Sequence, residues 1–165
     1  MFIPSLATST AGFSPESRVW VYTTSRPLTN PEVQVAQDAL NAFVRQWTAH
    51  DQALKAVAEV FQNQFVILMV DETQAGASGC SIDKSVQFLE RLGQHLNVDF
   101  FERMRFAWLA GDALQFGNRQ EFGNAVEKST IEDNTLVVNT LVQNKKDLQE
   151  KWLVPFAQSW HRRLV

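Results

Sequence analysis

Six consecutive residues in the middle of the chain, Phe65-Val66-Ile67-Leu68-Met69-Val70, carry no polar side chain. Side chains on a strand alternate between two faces, so a run like this has no face to offer to water. It is far too short to cross a bilayer as a helix. It therefore predicts an inner strand covered on both sides. Just before it, Leu54, Ala56, Ala58 and Val60 alternate with Lys55, Val57, Glu59 and Phe61, the period-two pattern of a strand with one face toward the core. Gln62-Asn63-Gln64 is a short polar turn between them, and the pair predicts an antiparallel hairpin that Asp71-Glu72 ends.

The flanking segments extend this hairpin into a fold. Val19-Trp20-Val21-Tyr22-Thr23-Thr24 is β-branched and aromatic and predicts a strand. Asn30 as cap, Pro31 and Glu32 then open a helix with Val33, Ala36, Leu40, Phe43, Val44 and Trp47 on one face, ending near His50. A second helix follows the hairpin, with Ile82, Val86, Leu89, Leu92 and Leu96 inward. Phe106 to Leu109 is a strand candidate and Ala113 to Phe116 a return strand. The order strand, helix, strand, strand, helix, strand is that of a split βαβ, ferredoxin-like unit, placed at residues 18–110. Residues 111–165 predict a small mixed α/β unit packed on it: a helix over 120–129, a strand over 135–142, a helix over 145–152, and a last helical stretch with Phe156, Trp160 and Leu164. The fold class expected is α+β.

At 165 residues with 45% apolar and 20% charged side chains, the composition is that of an ordinary globular chain. Twelve Phe and five Trp make the expected core aromatic. A net charge of −3 gives no steering toward nucleic acid or anionic lipid. Lys145-Lys146 and Arg162-Arg163 read as solvated faces. A single cysteine excludes an internal disulfide framework. Residues 1–17 have neither a basic stretch nor a sustained apolar one, and read as a loose tail. A soluble cytoplasmic protein without membrane insertion is expected.

Chemistry concentrates in Ala75-Gly76-Ala77-Ser78-Gly79-Cys80-Ser81-Ile82-Asp83-Lys84-Ser85, where the hairpin passes into a helix start. Free N–H groups there attract anions and lower a thiol pKa. Ser78, Gly79, Cys80, Ser81 and Lys84 are thus the candidate ligand-binding residues, and Cys80 the one candidate nucleophile. The spacing Gly79-x₄-Lys84-Ser85 misses the phosphate-loop glycine before the lysine, because Asp83 stands there; ATP hydrolysis is not expected. Cys80 as a small packed residue is favoured over a reactive thiol. Asp71-Glu72 with Asp83 reads as a solvated strand end rather than an acid–base pair. No zinc motif is present, so no metal and no cofactor are expected. Trp108, Trp152 and Trp160 are the freer aromatics that could line a peptide groove, while Trp47 belongs to the core.

Val19-Trp20-Val21-Tyr22, Ser25-Arg26-Pro27-Leu28, Gln46-Trp47-Thr48-Ala49-His50, Val70-Asp71-Glu72 with the stretch 74–86, Val98-Asp99-Phe100-Phe101 and Ser159-Trp160-His161 carry a resemblance to a family of short bacterial proteins often labelled "ABC transporter ATPase". It covers about residues 18–165. The label implies a Walker A loop, a Walker B strand and a signature motif. Gln120 to Trp152, with Ile131-x-x-Asn134-Thr135-Leu136-Val137, also resembles GYF-like modules, which implies binding of proline-rich or other peptides; the GYF tripeptide is not there. The function expected is non-enzymatic: an interaction or adaptor protein for an unidentified protein or peptide. The alternatives are a thiol-dependent enzyme or redox sensor at Cys80, and anion or small-ligand binding at loop 76–85.

Overall fold

A computed structural model describes residues 2–165. The architecture is mixed α and β, with every sheet antiparallel. β1 (Arg18–Thr23) leads to α2 (Asn30–Gln46), after the short α1 (Leu6–Ser9). The two-residue strands β2 (Thr48–Ala49) and β3 (Gln52–Ala53) make a small hairpin, then β4 (Lys55–Phe61) and β5 (Phe65–Asp71) make the large one. α3 (Gly79–Leu96), β6 (Arg105–Ala110), β7 (Ala113–Asn118), α4 (Arg119–Glu127), β8 (Leu136–Val138), α5 (Lys145–Lys151) and β9 (Leu153–Pro155) complete the chain, with two 3₁₀ turns at Phe156–Gln158 and Trp160–Leu164.

The first sheet has the order β1-β5-β4, so the apolar β5 is its centre and every residue of β5 is buried. Val66, Leu68 and Val70 face α2 and α3 together with Trp20 and Tyr22 of β1. Phe65, Ile67 and Met69 face the other way, onto a cluster with α1, α5 and the second sheet. Phe65 carries much of that contact: its ring lies 5.4 Å from Phe116 and 5.4 Å from Trp152. The second sheet, β7-β6-β8-β9, buries its far face under α4 and the 3₁₀ turns, around Phe106, Trp108, Phe122 and Phe156. The layers thus run helices, sheet, sheet, helices.

Several sequence expectations are corrected here. β6, expected as the fourth strand of a ferredoxin-like unit, pairs with β7 and β8 in the second sheet and not with β1. The boundary placed at residue 110 therefore falls inside one hairpin. β4 is covered on both faces, since Val57 and Phe61 join the second cluster. α2 is capped by Thr29, not Asn30, through a reciprocal box with Glu32. It stops at Gln46, before the hairpin in which His50 and Asp51 take positive φ. α3 turns Ser81, Ser85, Leu89, Leu92 and Gly93 inward, a face rotated from the expected one. At Gly93 a Cβ would fall 2.5 Å from the Val98 carbonyl oxygen, so only glycine lets the helix pass there.

Residues 1–17 are expected as a loose tail; Met1 lies outside the described residues, and residues 2–17 are fastened to the fold. Leu6 and Ala7 are buried against β4 and α5. Glu59 accepts the N–H groups of Ser5 and Leu6. Lys145, expected on a solvated face, is buried: its ammonium donates to the carbonyls of Thr10 at 2.5 Å and Phe13 at 2.9 Å. Lys55 donates to Gly12 and lies 4.8 Å from the centre of the Phe13 ring. Asp71, expected at a solvated strand end, is 3% exposed and accepts the Ser14 N–H. Buried charge thus fastens the N-terminal segment across the second cluster.

Candidate functional site

Loop 75–85 does not gather the chemistry its composition suggests. Ser78 caps α3 in a box with Ser81, so the Ser81 amide and the Ser78 amide are met within the chain. Ser81, a candidate binding residue, is buried, and its carbonyl accepts the Trp47 indole N–H at 2.8 Å. A carboxylate already sits on the loop: Glu72 accepts the Ala77 N–H at 2.8 Å, and its oxygen lies 3.1 Å from where a Gly76 Cβ would be. Cys80, expected to be packed, is exposed. Gly79 and Lys84 are exposed beside it. His95 is fifteen residues further along α3 (95 − 80), about 22 Å at helical rise, and His161 is buried against Phe106 and Phe122 under the second sheet, so neither serves Cys80 as a base. Ser78, Gly79, Cys80, Ser81 and Lys84 are neighbours along the chain, and none of them lines the cleft or the depression described below.

The edges of the first sheet point elsewhere. Edge strands expose unpaired N–H and C=O groups and natural proteins cover them. On β4 the Gln37 side chain does this in part, accepting from Val60 N–H at 2.8 Å and donating to the Ala58 carbonyl at 3.1 Å, while the outward backbone groups of Ala56 have no partner among the described residues. On β1 the cover is also incomplete. Val19 N–H donates to the Gln143 carbonyl at 3.0 Å, Lys145 N–H to Ser17, and Glu102 N–H to Thr23 at 3.1 Å. These bonds show that the odd residues of β1 aim their backbone groups away from β5. Val21 lies between the two braces, and its outward N–H and C=O have no partner among the described residues.

A cleft of about 270 Å³ opens there, between β1, the segment 100–105 and the loop 140–141. Tyr22 meets Phe101 edge to face at 5.4 Å. Burial pushes the Tyr22 hydroxyl pKa up, against a hydrogen bond with Ser85 that pulls it down. Trp160 stands across from them, stacked on His161 with ring centres 3.8 Å apart. Leu141 lines the rim and is 61% exposed. One side chain sets both of these walls. The Asn139 carboxamide oxygen accepts the Leu141 N–H at 3.1 Å and the Trp160 indole N–H at 3.2 Å.

Two guanidinium groups face the cleft. Arg105 donates to the Thr24 carbonyl and the Gln64 side chain and lies 4.9 Å from the Phe116 ring centre; burial lowers its pKa, against the nearby Glu102 and Glu121. Arg103 is exposed, with no hydrogen bond or ion pair among the described residues. Glu102 is turned onto its own loop, where it accepts the Met104 N–H at 2.9 Å. Beyond Phe100 and Phe101 lies a wider and flatter depression of about 530 Å³ along α3.

Trp160 is the one sequence-flagged groove aromatic that lines the cleft; Trp108 and Trp152 are core. His161 is buried behind it. Val21, Asn139 and Leu141 carry no sequence signal of their own, since the strand patterns over 19–24 and 135–142 absorb all three. Among the described residues no group of acidic, histidine and cysteine side chains could hold a metal ion, and no helix is long and apolar enough to cross a membrane. No protein-family model, curated protein or solved structure matches the chain.

Proposed function

We propose that this is a soluble, cytoplasmic, non-enzymatic interaction protein that takes an extended segment of a partner polypeptide alongside β1. The observation that carries this reading is the open pair of backbone groups at Val21, framed by the braces at Val19 and Thr23. A strand added at a sheet edge gains main-chain hydrogen bonds from such groups, and nearby pockets select its side chains. Tyr22, Phe101, Trp160 and Leu141 are suited to that second role, since aromatic anchors dominate interface energetics. The same residues offer no nucleophile paired with a base. The peptide-binding character implied by the GYF-like resemblance over 120–152 agrees with this reading, and Thr140 and Leu141 of the cleft lie within that stretch. The crossover from β1 through α2 to β4, with β5 between the two strands, supports reading the first half as a split βαβ unit whose fourth strand has joined the second sheet.

Nuclear magnetic resonance tests it. Addition of a pool of random heptapeptides should shift the Val21 amide and the Trp160 indole signals. Val21→Pro removes the N–H without touching the ladder to β5, and should abolish those shifts. Binding that leaves both signals in place rules the reading out.

A further inference from the structure

We infer that the segment bound at β1 is acidic, with a carboxylate that lands on Arg103. This rests on strand addition at Val21 and adds the chemistry of the partner. The Val21 N–H and C=O can exchange two hydrogen bonds with a single residue of an added strand. The Gln143 and Glu102 braces limit the pairing to that residue and its immediate neighbours. So short a backbone contact gives little discrimination, and the selection falls to side chains beside it. The charges there are unequal. Arg103 and Arg105 both face the cleft, whereas Glu102 is its lone carboxylate and is held by the Met104 N–H. Arg105 already serves Thr24 and Gln64, which leaves the Arg103 fork unengaged. A guanidinium binds a carboxylate in a two-bond fork that neutral and cationic side chains cannot reproduce. The chain as a whole carries a net charge of −3, so this cationic spot is a local departure from a repelling background for an acidic ligand. Exposed Leu141 on the opposite rim suits an apolar neighbour of that acid.

The test uses the full chain and three pools of fluorescein-labelled heptapeptides, randomised among uncharged residues other than Cys and Pro, with Glu, Gln or Lys fixed at the centre. Fluorescence anisotropy should rank them Glu, Gln, Lys, with roughly threefold between steps, the range of an exposed ion pair. Salt should compress the ranking. Arg103→Glu should invert it while leaving the fold intact, because the side chain is exposed. If the three pools bind equally and Val21→Pro abolishes all of them, strand addition stands and the acidic preference is wrong. If no pool binds, or binding ignores both Val21→Pro and N-methylation of the central three peptide residues, both readings fall. Sedimentation of the free chain as a dimer that Val21→Pro dissociates would assign the edge to a second copy and overturn the inference.

Discussion

The Glu102 amide donates to the Thr23 carbonyl at 3.1 Å, and that bond closes one end of the open stretch of β1. Its counterpart at the other end runs from Val19 to Gln143. The two braces come from segments more than forty residues apart (143 − 102), so the opening at Val21 exists only because both sheets are in place.

Asn139 should matter more than its half-buried position suggests. Asn139→Ala removes the acceptor shared by Leu141 and Trp160. We expect a loss of about 1–2 kcal/mol in stability, as for unpaired polar groups, and a larger loss of peptide binding. Leu141→Ser is the companion variant. It should leave the urea midpoint unchanged within error, because the side chain is exposed, and still weaken binding. Equal binding by both variants and the parent would remove these walls from the site.

Lys145→Met leaves the carbonyls of Thr10 and Phe13 without their buried donor. A cost of about 1–3 kcal/mol follows from the unmet Phe13 carbonyl and the lost charged donor to Thr10, whose carbonyl keeps the Phe13 N–H. Hydrogen exchange should locate the damage: amides of residues 5–17 should exchange faster while β5 stays protected. Uniform loosening of the whole chain would contradict a local clamp.

Cys80 is exposed, so iodoacetamide should label it in the native state at a rate close to that of the unfolded chain. Cys80→Ser should change stability by no more than about 0.5 kcal/mol, as surface substitutions do. Slow native labelling that denaturation accelerates would show a packed thiol.

Acid should destabilise the fold in two stages. Burial lowers the His161 pKa from 6.5 to about 4. The unfolded chain therefore takes up this proton first, and stability falls as pH drops from about 6.5 toward 4. The Arg26 guanidinium, which forks onto Glu32 at 2.9 and 2.8 Å with help from the Thr29 N–H, holds that carboxyl down to about 2. Burial pushes Asp71 up, but the N–H groups of Ser14 and Thr73, the Thr73 hydroxyl and Lys55 outweigh it and bring it to about 2. Both folded values lie below the unfolded ones, so this stabilisation is complete above the ordinary carboxylate range and drains as pH falls toward 2. The His161 Nδ1 is buried without a partner among the described residues, with Phe106 and Phe122 against the ring. His161→Phe should accordingly flatten the melting temperature between pH 7 and pH 4.5. A wild-type profile already flat there would mean that His161 is not held neutral by burial.

Local periodicity determined most of the elements. The two-faced apolar run predicted β5 as an inner strand, the turn at 62–64 predicted its pairing with β4, and spaced apolar residues placed α2 and α3. These signals are legible because they reflect how a few neighbouring residues divide between core and water. What tertiary structure alone decided is which surfaces meet. Phe106-Ala107-Trp108-Leu109 has the same alternation whether it joins β1 or β7, and only the competing long-range pairings settle it. Lys145 is written like Lys146 beside it, yet one is buried because two carbonyls of a distant segment receive its charge. Cys80 lies on the outward side of α3 because Ser81 and Ser85 take the inward one. The opening at Val21 belongs to the same class: a backbone group has no sequence signature, and whether it is paired depends on where every other edge has gone.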